Sequence, residues 1–151
     1  MRFNFLCIAH RQQLEAEASK AIRLWQDGFE TGQFFCEQGL WSEAVCHIGC
    51  AFEAADILLT NKSIDSGVAY EWFYRSALML ATVFGRIDSP IQAQEVLFMA
   101  IDRLQRELNL TSEHRSRIMT YIDELHRPLN GLNMMSVSSE LAGRQPNSLL
   151  H

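Results

Sequence analysis

The residues best placed to do chemistry are Cys46, His47 and Cys50, in the run from Glu43 to Cys50, EAVCHIGC. Cys46 and Cys50 stand four apart, which on a helix places their side chains on one face. With Cys36 from a partner helix they would make a metal or redox site. Zinc generally takes four ligands, and His47 points about a quarter-turn away from Cys46. The spacing is neither the C-x2-C of redox and zinc motifs nor a haem-attachment sequence. Cysteine is also a common small buried residue. The pattern therefore favours core packing over ligation, and no cofactor is expected.

Other titratable residues offer less. His10, His114, His126 and His151 are scattered. Asp65, Asp88, Asp123 and Glu124 fall near turns or on helix surfaces, where acids are usually solvated. Glu53 and Asp56 lie among alanines in one helix and could face a groove, but one helical turn of acid is thin ground for acid–base catalysis. The chain has no glycine-rich phosphate loop, no G-x-S-x-G and no H-E-x-x-H. These observations argue against an enzyme.

The elements that must position these residues are helices. The chain has 151 residues, enough for one domain with a single core. Only 3 Pro and 8 Gly interrupt it, which favours long regular elements over a loop-rich β fold. The net charge is −5, a poor basis for holding nucleic acid, which needs clustered Lys and Arg against phosphate. The basic clusters Arg103/Arg106 and His114/Arg115/Arg117 are interleaved with acids and read as solvated helix faces. The opening run Phe3–Ala9 is short for a secretory signal, and no run approaches the ~20 apolar residues of a membrane span. A cytoplasmic protein with free thiols is expected.

Apolar residues recur at three- and four-residue steps from Ala9 to about Gln26, through Leu14, Ala18, Ala21, Ile22 and Trp25. This first helix is expected to continue, with a bend at Gly28, toward Gln38. Gly39 can close it in the left-handed conformation, and Ser42 is placed to cap a second helix to about Leu59. Asn61–Gly67 reads as a loop. Ala69–Gly85 is a strongly apolar helix, and Ser89-Pro90 starts another to about Leu108. A last helix is expected from Ser112 to Arg127, ended by Pro128. The prediction is one domain over residues 1–129, of about five helices, with a flexible tail over 130–151.

The first hairpin, Gly28–Leu59, resembles a tetratricopeptide repeat (TPR), whose pattern is W-x2-L-G-x2-Y, then A-x3-F, then a closing Pro. Gly32 and Phe35 match the G-x2-Y pair, Ala44 and Ile48 match A-x3-F, and Ala51 matches the small residue that follows. Gly28 replaces the Trp, Thr31 the Leu, and Asp56 stands near the Pro position. A second, more degenerate copy places Leu80, Ala81 and Phe84 in its first helix and Ala93, Leu97 and Ala100 in its second. The copies stand farther apart than the family's ~34-residue period, the excess being a longer second helix and the Asn61–Gly67 loop. The resemblance implies an all-α fold of antiparallel hairpins stacked as a right-handed array. The first and last helices would cap it, and a homodimer would be another way to cover the ends.

What the resemblance implies about function is a groove lined by the first helix of each repeat, gripping a peptide or helix of another protein. By alignment the lining is Gln26, Phe29, Gln33, Cys36 and Glu37 from the first copy. Arg75, Leu78, Thr82 and Arg86 come from the second, unless the N-terminal helix or the tail covers them. The expected role is a non-catalytic adaptor with a protein partner, without nucleic acid or membrane. The rivals are a small secretion or assembly chaperone and a helical metal or redox protein using Cys36, Cys46 and Cys50.

Overall fold

The computed structural model describes residues 3–143, excepting the side chains of 135–137. It contains six helices: α1 (Ile8–Ala16), α2 (Ala18–Glu37), α3 (Trp41–Asn61), α4 (Ser66–Arg86), α5 (Pro90–Leu110) and α6 (Arg115–Gly143). Among the described residues there is no strand. No described helix is long and apolar enough to cross a membrane.

The turns form where local chemistry marks them. Gly39 takes a φ of 72°, the left-handed region open to glycine, and reverses the chain between α2 and α3. The Leu40 N–H then donates to the Phe35 carbonyl at 2.9 Å. Asp65 caps α4 by accepting from the Val68 N–H at 3.2 Å. Pro90 opens α5, where a missing N–H costs nothing.

Each helix packs against the next, α1 lies on both α2 and α3, and α4 also touches α2 and α6. Helices α2, α4 and α6 therefore stand side by side in one layer. Helices α3 and α5 form the other; their backbones stand apart, and Arg103 of α5 reaches across to Asp56 and Thr60 of α3. The gap between the two helices is partly filled from the N-terminus, where Phe3 stacks on Phe84 of α4 at 5.8 Å and Phe5 packs against Gly49 of α3.

The main core joins Trp25 and Phe29 of α2, Ile48 and Phe52 of α3, Phe73 and Leu80 of α4, Leu97 of α5, and Ile118 and Leu125 of α6. The small residues that match the repeat pattern at Gly32, Ala44, Ala81 and Ala93 are all buried, where short side chains let helices approach closely. Gly28 is required by that approach. A Cβ there would stand 2.8 Å from the backbone carbonyl oxygen of His47, and a backbone atom cannot swing aside.

Three boundaries differ from expectation. The chain breaks at Glu17, in extended conformation, so α1 is separate and α2 runs unbroken through Gly28. This makes six helices where about five were expected. Helix α3 begins at Trp41 after an uncapped Leu40, so Ser42 is not its N-cap. Pro128 does not end the last helix, which continues to Gly143. A proline inside a helix costs roughly 3 kcal/mol. Burial of Leu125 and Leu129 on either side of it offsets that cost. The expected tail is thus helical over 130–143, and 144–151 lie outside the described residues.

Candidate functional site

The α2–α4–α6 layer carries all nine residues that sequence alignment assigned to a groove. At its centre is an aromatic stack. Trp25 and Trp72 lie 4.2 Å apart with rings 2° from parallel, and Phe29 continues the stack 4.9 Å from Trp25. The Trp25 indole N–H donates to the Trp72 carbonyl at 3.2 Å, which fixes the α2–α4 register. The Arg75 guanidinium covers this stack, 4.7 Å from the Phe29 ring centre. Phe29 is therefore buried beneath Arg75 rather than open to a ligand, while Arg75 is exposed.

The other residues follow along the two helices. Gln26, Gln33 and Glu37 are exposed on α2, and Cys36 is half-buried with its thiol pushed up by burial. On α4, Thr82 is exposed and Leu78 half-buried. The Thr82 hydroxyl donates to the Leu78 carbonyl at 2.8 Å. At the end of α4 the Arg86 guanidinium lies 5.1 Å from the Trp41 ring centre. The structure thus brings Phe29 to Arg75 and Leu78 to Thr82, and takes Arg86 to the tip of the α2–α3 hairpin. The N-terminal segment lies against α3 and α4 in the gap facing the other layer.

Leu78 and Thr82 belong to an apolar trough of about 280 Å³ that the sequence did not reveal. Leu97 of α5 joins its floor, and Pro128, Gly131 and Leu132 of α6 form its far wall. Beside it Tyr74 stacks on Tyr121 at 4.5 Å and donates a hydrogen bond to the Glu124 carboxylate. Burial and that carboxylate push the Tyr74 hydroxyl up to about 12. The one advance sign of the trough is Pro128, which by residue type reads as the end of a helix.

The opposite layer holds a more polar cavity of about 360 Å³ between α3 and α5. Asp56 lies 3.0 Å from Arg11 and 3.7 Å from Arg103, and Arg103 lies 3.4 Å from Glu107. Glu107 also accepts from the Tyr70 hydroxyl at 3.1 Å, and burial first, then Glu107, pushes that phenol up to about 12. Arg103 is therefore part of a cross-helix network rather than a solvated face. Glu53 accepts from the Leu6 N–H at 2.7 Å and the Phe5 N–H at 3.3 Å. Burial raises its pKa above the ordinary carboxylate value. Glu53 thus does face a groove, one filled by the chain's own N-terminal segment. Its oxygens hold backbone rather than a substrate.

The core packing favoured for Cys36, Cys46 and Cys50 is met only in part. Cys7 and Cys46 are exposed, and Cys36 and Cys50 half-buried. The Cys50 thiol points to the Phe5 carbonyl at 3.9 Å and is pushed up to about 11, chiefly by burial. Among the described residues no three His, Cys, Asp or Glu side chains converge as a metal site. No family model, curated protein or solved structure matches the chain.

Proposed function

We propose that this protein is a non-catalytic, cytoplasmic adaptor of tetratricopeptide-like type that holds a segment of a partner protein across its α2–α4–α6 face. The observation that carries this reading is the combination on one face of an exposed arginine over an aromatic stack and, one turn on, an open apolar trough. Aromatic and arginine side chains beside an apolar pocket are the usual anchors of protein interfaces. The side-by-side placement of α2 and α4 is what a repeat array would give, and the small residues buried between successive helices are of the kind it needs.

The test reverses two charges. The variant Arg75→Glu with Arg86→Glu is compared with wild type in affinity capture from native lysate, read by mass spectrometry. Both side chains are exposed, so the helical circular-dichroism signal should be unchanged. Proteins captured by wild type should be lost from the variant. An unchanged set of captured proteins would refute this face as the binding surface.

A further inference from the structure

We infer that residues 3–16 are an exchangeable arm, and that the groove beside α3 which holds it also takes the arm of a second copy of this chain. In the exchanged form α1 and α2 join into one continuous helix, which carries the arm out of its own groove. This groove lies in the layer opposite the proposed adaptor face.

One feature is the break between α1 and α2. Residues 15–19, EAEAS, include alanine and glutamate, both strong helix formers, and neither glycine nor proline. Leu14, Ala18, Ala21 and Trp25 keep helical step across it. Yet Glu17 stands at φ −129° and ψ 97°, and no side chain caps the start of α2. Extended backbone at Glu17 denies the Ala18 and Ser19 N–H groups the Leu14 and Glu15 carbonyls that a continuous helix would offer. What accompanies the break is tertiary. Arg11 lies 3.0 Å from Asp56 of α3, and Leu14 is buried in a cluster with Ile57 and Leu58. Local preference and tertiary placement oppose each other at this point, which makes Glu17 a hinge.

The other feature is how the arm is held. The Phe5 and Leu6 N–H groups donate to Glu53, and the Cys50 thiol donates to the Phe5 carbonyl. The Phe5 ring fills the space over Gly49, where a Cβ would collide with it. Leu6 and Glu53 are each 6% exposed with the arm in place. An arm that swings out therefore uncovers Leu6 and takes from Glu53 the donors it holds. Arm and groove are complementary to each other, so the surface that fits both is a second copy. Exchange keeps every contact of the arm and adds the helical turn at Glu17. What opposes it is the entropy of association, which rising concentration offsets.

The experiment refolds the full chain from urea at rising concentration and reads its mass by light scattering. The mass should double as concentration rises. In the dimer, hydrogen exchange at the Ala18 and Ser19 amides should slow about tenfold or more against the monomer. Ala18→Pro suits the first position of α2 and the extended residue before it, but removes an N–H that the continuous helix needs. This variant should keep its helical signal and stay monomeric. A second test needs no proline. Phe5→Asp leaves a sound groove with a faulty arm, and Glu53→Leu a sound arm with a faulty groove. Mixed and refolded together, the two should form a one-to-one dimer that neither forms alone. A wild-type chain that is monomeric at every concentration overturns the inference. So does a dimer whose Ala18 and Ser19 amides exchange as fast as the monomer's, or one that Ala18→Pro retains.

Discussion

Two groups of arginines divide this molecule. In the α3–α5 cavity, Arg11 and Arg103 converge on Asp56, and each has a second carboxylate beside it, Glu15 for Arg11 and Glu107 for Arg103. On the α2–α4–α6 face, Arg75 and Arg86 lie over aromatic rings, and Arg127 of α6 is exposed. The first group has its charge neutralised inside the protein and ties α1 and α5 to α3. The second leaves its hydrogen-bond donors to whatever arrives. Surroundings, rather than residue type, separate an arginine tied into the fold from one left exposed.

The comparison can be broken most forcefully at the N-terminal strap. Glu53→Leu leaves the Leu6 and Phe5 N–H groups without their acceptor. Stranding buried donors should cost about 3 kcal/mol, seen as a lower urea midpoint. An unchanged midpoint would mean that the strap does not support the fold. Asp56→Ala removes the carboxylate between Arg11 and Arg103, whose side chains are 21% and 19% exposed. Partial burial makes this dearer than a surface pair, and about 1–2 kcal/mol of lost stability is expected, with partner capture unaffected. Loss of capture with the fold intact would move the binding surface to this layer. The smallest effect belongs to the other face and has the opposite sign. Gly131→Ala should raise stability by about 0.5–1 kcal/mol in the same urea titration, because a Cβ there meets nothing and the helix gains propensity. Destabilisation would show that the trough is more tightly packed than its open volume implies.

Much of the scaffold could be read from residues alone. Gly39, Asn61–Gly67 and Ser89-Pro90 marked three turns because their chemistry is local: a left-handed glycine, a polar run and a proline at a helix start. The break at Glu17 carried no such mark. It has no side-chain cap, and it goes with α1 settling on α3, where Arg11 reaches Asp56. Pro128 misled for the complementary reason, since the rule that proline ends helices yields when flanking leucines are buried. Of the nine residues that alignment assigned to a groove, the structure places Leu78 and Thr82 in the trough, Arg75 and Arg86 over aromatic rings, and Phe29 beneath Arg75. Trp41, Trp72, Gly131 and Leu132 were missed because each matters only through a side chain from another helix.

The sequence by itself determined an all-helical chain, most of its turns and which stripes turn inward, because periodicity and capping act within a few residues. Tertiary structure decided which charges are neutralised and where open space remains. The Arg11–Asp56 bond joins residues 45 apart, and the trough takes its lining from α4, α5 and α6. Such contacts depend on how helices slide and turn against one another, and that register is set by packing across the whole core rather than by any local run.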